Sequence, residues 1–277
     1  MKRKISVGKT FFYIVIFGFL FIQIYPVIWT FLASIKQSTE LASQPFAMPK
    51  AVTFANYAKI IADGKFGGYI INSLLVMIES VVLIVALSST TAFAISKFAF
   101  RFNKRIYSFF TIGIMIPVQI TLIPLFIFYV KLNILNTKFS LVMPQVGFAL
   151  PLSIMLFVSF YSFIPNEIIE AAVIDGCSIY RIFWKIMLPL SKNTIITVAS
   201  MYSIFIWNDF IFANTFISDS KVKTVAMGLR DYVGAFGNVD WGTTYAAIGL
   251  SMVPPLLIYF VLNKWVTAGM TIGATKG

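Results

Sequence analysis

The order of apolar and polar positions divides this chain into long hydrophobic runs separated by short polar stretches. Six runs stand out, at about 11–33, 70–95, 106–130, 140–162, 193–213 and 245–263. A helix rises 1.5 Å per residue, so about 20 residues cross the ~30 Å of hydrocarbon in a bilayer. The pattern predicts an all-α, polytopic membrane protein with six transmembrane helices in one domain covering residues 1–277. Composition agrees with this, since 59% of the 277 residues are hydrophobic and the mean hydropathy is +0.88. That is too apolar for a water-soluble globule of this length. There is no internal repeat, low-complexity tract or second soluble domain.

Within the runs, Pro117, Pro124, Pro144 and Pro151 punctuate the third and fourth. Prolines in membrane helices free backbone carbonyls and predict kinks there. The segment at 34–69, with Pro45, Pro49, Gly64, Gly67 and Gly68, reads as a partly ordered loop on the outer surface.

The formal charge of +12 does not mark a nucleic-acid surface, because the basic residues sit in loops between apolar runs. Lys2, Arg3, Lys4 and Lys9 precede the first run, and Lys97, Arg101, Lys104 and Arg105 fill the short loop after the second. The positive-inside rule places both in the cytoplasm, and six spans then bring the C-terminus to the same side. On this topology 13 Lys and Arg residues face in and 9 face out. The first run is too long for a secretory signal and lacks a small-residue cleavage site, so it is a retained helix. A single cysteine, Cys177, rules out an internal disulfide framework. With no histidine as well, a zinc site is implausible.

The loop at 163–192 is polar and helix-forming. Asn166 is placed to cap a helix whose first turns carry Glu167 and Glu170, matching the helix dipole. Gly176 is suited to the positive φ that ends a helix. A second helix is predicted from Ser178 to Met187, stopping where Pro189 restricts Leu188. The order Glu170-Ala171-Ala172, three residues, Gly176, nine residues, Ile186, one residue, Leu188-Pro189 has a specific spacing.

This spacing resembles, at every defining position, the EAA loop of the membrane subunits of binding-protein-dependent ABC importers. Asn72-Ser73-Leu74, the stretch from Ala92 to Arg101, Ile123-Pro124-Leu125, Leu135-Asn136-Thr137, Trp207-Asn208-Asp209-Phe210 and the ending from Gly269 to Gly277 resemble the carbohydrate, maltose-permease-like branch. The resemblance covers most of the chain and implies the type I importer permease fold. It implies that the first loop helix is a coupling helix seated in a cytosolic ATPase, with Glu170, Ala171, Ala172, Asp175, Gly176, Ile186, Leu188 and Pro189 as coupling residues. The implied partners are a homologous second permease subunit, two ATPase subunits that hold ATP and Mg, and an extracytoplasmic sugar-binding protein. The implied location is a bacterial plasma membrane. This chain itself is expected to bind no cofactor. A polyol or glycerol-phosphate importer is the alternative.

For the pathway, Glu79 is the only acid well inside a predicted span, where a charge costs at least ~2.5 kcal/mol unless it finds a partner or water. Asn72 and Ala86, seven residues to either side, place a polar face on that helix with Ser80 adjacent. Gln119, Trp207, Asn208 and Asp209 offer the aromatic and hydrogen-bonding chemistry that sugars need. No glycine-rich P-loop is present, so ATP hydrolysis is expected on another subunit. Two other classes make distinct predictions. An ion-coupled secondary transporter would rely on Glu79, and a scaffold without transport would have no ATPase partner.

Overall fold

The computed structural model describes the backbone of residues 7–233 and 239–274, and their side chains except at 7, 10 and 262–274. The basic residues 2–4 and the last three residues of the family-like ending lie outside this set, as do the side chains of 269–274. In chain order the helices are α1 (Val7–Ser34), α2 (Ser38–Ser43), α3 (Ala55–Asp63), α4 (Phe66–Lys97), α5 (Asn103–Gly113), α6 (Val118–Leu132) and α7 (Lys138–Ser162). They continue as α8 (Asn166–Ile174), α9 (Ile179–Ile182), α10 (Leu188–Leu190), α11 (Lys192–Trp207), α12 (Ile211–Phe216), α13 (Val225–Gly228) and α14 (Trp241–Ala274). A π-helical turn at Phe183–Met187 and a 3₁₀ turn at Leu229–Tyr232 complete the inventory. Among the described residues there is no strand, and the fold is all-α.

Four stretches are long and apolar enough to cross a bilayer alone: Phe11–Ser34, Phe66–Lys97, Lys138–Ser162 and Trp241–Val261. The run at 106–130 is divided between α5 and α6, which are bent by 97°. Pro117 is extended, with φ −66° and ψ 132°, and its ring disfavours helical geometry at Ile116. Pro124, Pro144 and Pro151 stay inside helices. The run at 193–213 is the 16-residue α11, a break, and then α12.

The chain forms two compact units. The first holds residues 1–67 and 229–253. Its segment at 34–63 is more ordered than a loop, because buried polar side chains join Leu41 and Ile60 in holding it together. Lys36 is fully buried, and its ammonium donates to the carbonyls of Gln44 (2.9 Å) and Ala47 (2.7 Å). Buried Asn56 donates to the carbonyls of Ser34 (2.8 Å) and Lys36 (2.7 Å), which holds α3 against the end of α1. A Cβ on Gly242 would come within 2.6 Å of Asn56 and 2.8 Å of Ser38, so only glycine allows α14 to start this close. Trp29 meets Tyr245 edge to face at 4.9 Å. Beside this contact, Asp240 accepts hydrogen bonds from Lys59 (2.7 Å), Ser38 and Thr243. Partial burial works against ionisation of Asp240, but these donors outweigh it and hold the carboxyl well below the usual carboxylate range.

The second unit holds residues 68–228 and 254–277. Here α7 is the central helix, with Phe157, Ile154 and Tyr161 fully buried. α5 closes on α7 where Gly113 faces Pro151, since a Cβ at Gly113 would already sit 3.0 Å from that ring. An apolar groove of about 480 Å³ runs between α5, α6 and α7, lined by Phe110, Phe128, Pro144 and Phe148 among others. Side chains close the helix junctions. Asn103 donates to the carbonyls of Ile95 (2.6 Å), in the last turn of α4, and Phe98 (2.9 Å), just beyond it. Asn136, with φ 58°, accepts from the amides of Ser218 (2.6 Å) and Asp219 (2.9 Å). Asn72 donates to the carbonyls of Lys221 (2.8 Å) and Lys223 (3.0 Å).

Two measurements test the first unit. Asn56→Leu keeps the volume but leaves two buried carbonyls without a donor, and is expected to destabilise the protein by about 1–3 kcal/mol in thermal unfolding in detergent. Asp240 ionises more readily folded than unfolded, so its stabilisation is complete above the unfolded value near about pH 4 and fades as pH falls toward the folded one. The melting-temperature gap between the parent and Asp240→Asn is therefore expected to be level above about pH 5 and to narrow steadily below about pH 4.

Candidate functional site

The segment from Pro165 to Leu190 folds as two short helical arms around a turn. Pro165 takes the cap position of α8, and Asn166 is its first helical residue. This corrects the expectation that Asn166 is the cap. Its carboxamide oxygen instead accepts from the Lys97 ammonium (3.1 Å), which also donates to the Ile164 carbonyl (2.5 Å). The last residue of α4 therefore anchors the start of α8. From sequence, Lys97 reads as a topology charge and as part of the family-like stretch from Ala92 to Arg101; this link, which joins residues 67 positions apart, has no local signal.

α8 ends as its glycine predicts. Gly176 has φ +75°, its amide donates to Val173 and the Cys177 amide donates to Ala172. This pair of bonds is a Schellman turn. The space around Gly176 is open, so the constraint on its identity inside this chain is backbone conformation.

The second arm begins at Ser178, whose hydroxyl accepts from the Arg181 amide. It runs through α9, the π-helical turn at Phe183–Met187 and α10. The helix was expected to stop before Leu188. Instead Leu188 is helical, with φ −65° and ψ −46°, and its amide reaches back five residues to Phe183. Proline in a regular helix lacks a donor, and its ring strikes the carbonyl four residues back, here that of Lys185. Widening the preceding turn to five-residue bonding relieves that collision, and the arm continues to Leu190.

The two arms present different faces. Ala172 is only 6% exposed and lies with Ile182, Phe183 and Met187 on the buried side, where the Phe183 ring sits 5.5 Å from Phe93. Glu170, Ala171, Asp175, Gly176 and Pro189 are exposed, while Ile186 and Leu188 are half-buried. The exposed surface mixes these charges with bulky apolar groups: Ile174 is 86% exposed, Tyr180 80% and Trp184 63%. Exposure of several large apolar groups on one short segment suits an interaction surface. These three residues lie outside the motif. Their signal in the sequence was bulky apolar residues inside an otherwise polar loop.

The residues expected along a pathway are not gathered in one place. Trp207 is buried. Asn208 donates to the Ile204 carbonyl (2.8 Å), closing α11. Asp209 accepts from the amides of Phe212 and Ala213, starting α12, and from the side chain of Gln145, a residue the sequence reading did not select. Gln119 is exposed in the first turn of α6. Glu79 is exposed on α4, and Asn72 and Ser80 turn into the chain, so the polar face expected for that helix is split. Among the described residues no hydrogen bond or ion pair joins Glu79 or Gln119 to Trp207, Asn208 or Asp209.

No group of three metal-ligating side chains occurs among the described residues. Gly8-Lys9-Thr10 has the last three letters of a P-loop, but it lies inside α1, and Arg3 stands where the first glycine of that motif would be.

Residues 84–272 match the family described as the inner membrane component of binding-protein-dependent transport systems. The chain belongs to this family. It is thus a multi-pass membrane permease, and the family is not one of enzymes. An ABC transporter permease protein of Caldicellulosiruptor sp. is 35% identical over 97% of this chain and 98% of its own length. The trehalose/maltose transport system permease of Thermococcus litoralis is 32% identical over 92% of both chains. The diacetylchitobiose uptake permease of Streptomyces coelicolor is 30% identical over 92% of this chain and 85% of its own. The fold is shared with a chain in the crystal structure of a bacterial ABC transporter that imports alginate. The TM-score is 0.83 with 21% identity, over 95% of this permease and 99% of that chain.

The Lys97 anchor is open to test. Lys97→Met is expected to leave the permease folded but to raise amide hydrogen exchange across 165–174 by about tenfold, as the start of α8 loses its tether.

Proposed function

We propose that this permease is one half of the translocation path of an ATP-driven carbohydrate importer, taking a mono-, di- or oligosaccharide. It works beside a second, homologous permease subunit, two cytosolic ATPase subunits that bind ATP and Mg, and an extracytoplasmic sugar-binding protein. The chain lies in a bacterial plasma membrane with both termini in the cytoplasm, so α8 and the second arm face the ATPases. The sugar assignment rests on the named substrates of the similar permeases together with the carbohydrate-branch segments in this sequence.

The observation that supports the coupling role is the tethered two-armed loop with the exposed apolar side chains of Ile174, Tyr180 and Trp184. A coupling element must move as a body with its partner and pass that motion to the spans. α8 is held to α4 through Lys97, the Schellman turn fixes the angle between the arms, and Phe183 keys the second arm to Phe93. In this reading Glu170, Ala171, Asp175 and Gly176 lie toward the ATPase cleft. Ala172, Ile186 and Leu188 seat the loop on the membrane domain, and Pro189 stays exposed within the second arm. Closure of the ATPase dimer on ATP carries α8 with it and drives the spans between inward-open and outward-open states. Gln119, Trp207, Asn208 and Asp209 are assigned near the pathway, the last three by shaping the break between α11 and α12.

Two outcomes test this. In the purified complex, Gly176→Trp is expected to preserve assembly while lowering sugar- and binding-protein-stimulated ATP hydrolysis by at least about tenfold, because the turn cannot form without strain and the surface no longer fits its cleft. Stimulation at the parent level would count against the coupling role. A screen of maltose, trehalose, raffinose and diacetylchitobiose against glycerol 3-phosphate is expected to find stimulation by a sugar. A response to glycerol 3-phosphate alone would move the assignment to that class.

A further inference from the structure

Glu79 is the fourteenth residue of the 32-residue helix α4, about 20 Å from its start and about 27 Å from its end along the axis. Its side chain is exposed, and its neighbours one turn away on that face, Leu75, Val82 and Leu83, are all apolar and exposed. Ala86, two turns on, is exposed and small. The polar groups nearby on the helix point elsewhere, with Ser80 fully buried and Asn72 bonded to the carbonyls of Lys221 and Lys223. No hydrogen bond or ion pair reaches the Glu79 carboxylate from the described residues. No Lys or Arg occurs in any of the six apolar runs.

A carboxylate with no partner in its own chain, held outward at the middle of a spanning helix, is not stable against lipid tails. It requires water or hydrogen-bond donors on that side. Resting on the permease reading above, we propose that the face of α4 bearing Glu79 borders the water-filled substrate path, and that Glu79 is a specificity-determining residue accepting hydrogen bonds from hydroxyls of a passing, uncharged polyhydroxylated solute. Such a site discriminates by leaving the carboxylate unpaired against a solute that lacks donors, and by repelling an anionic one.

The test uses the full complex with its ATPase and binding proteins, reconstituted in nanodiscs. Glu79→Cys is treated with a membrane-impermeant methanethiosulfonate sulfonate, and peptide mapping separates its labelling from that of the native Cys177. The expected result is labelling of residue 79 that differs at least about tenfold between the nucleotide-free and ATP-bound complexes, as the path opens to one side and then the other. Leu75→Cys and Val82→Cys, one turn away, are expected to report the edges of the same wetted face. In liposomes, uptake of the best sugar from the maltose, trehalose, raffinose and diacetylchitobiose screen is expected to show KM raised about tenfold by Glu79→Leu and less by Glu79→Gln, which keeps an acceptor oxygen. No labelling of residue 79 in any nucleotide state would overturn the proposal and place the residue against another protein surface. Equal KM in all three proteins would overturn the specificity role. Either failure with ATP-driven sugar uptake intact in the parent leaves the permease reading standing. Absence of ATP-driven uptake in the parent would instead remove the premise on which this inference rests.

Discussion

In a bilayer every backbone amide and carbonyl must find its partner inside the protein, and the architecture of this permease follows from that requirement. Helices satisfy it along their length, so the difficulty gathers where they end or break. At those points a small set of polar side chains substitutes for the missing backbone partner. Asn103 covers carbonyls left at the end of α4, Asn136 gathers the amides that follow α12, Asp209 receives the first amides of α12, and Asn72 takes the carbonyls of 221 and 223. Buried Lys36 and Asn56 do the same where α1 gives way to α2 and α3. Several residues that resemble family positions, such as Asn72, Asn136 and Asp209, therefore act first as surrogates for backbone.

The loop at 163–190 obeys the same rule and adds stiffness. Lys97 closes its first end, the Schellman turn at Gly176 closes the first arm, and the π-helical turn lets Pro189 remain within the second arm. The result is two short helices whose mutual angle is set by backbone hydrogen bonds and whose inner side is keyed by an aromatic contact to α4. Isolated helices of this length are marginal in water, so their order comes from these attachments. The bulky apolar groups exposed on this tethered element offer a contact surface.

Several features of the loop were legible from residues alone. Gly176 could be read because positive φ is a local property of one residue, and the spacing around it fixed where α8 ends. Asn166 and Pro189 were misread for one reason: both rules describe an isolated helix. A distant cation engaged the Asn166 side chain, and a widened turn removed the steric conflict that would have stopped the helix at Leu188. Ile174, Tyr180 and Trp184 passed unnoticed, since motif reasoning follows small and charged residues and gives bulky ones in a loop no meaning. Glu79 and Asn72 were placed together by a seven-residue repeat. That repeat leaves them on nearly the same side of the helix, but the segment at 221–223 covers Asn72 and Glu79 is left exposed.

Hydrophobic length and the chemistry of the interhelical loops sufficed to establish an all-helical membrane protein and to locate the two-armed loop at 163–190. Both depend on local free energies of transfer and on backbone preferences that each segment carries with it. Only tertiary structure decided which side of each spanning helix turns inward, where the runs at 106–130 and 193–213 break, and which polar residues repair those breaks. The physical reason is the solvent. In water a helix shows its buried side as the apolar one, but against lipid tails both sides are apolar, and periodicity no longer distinguishes the core from the surface.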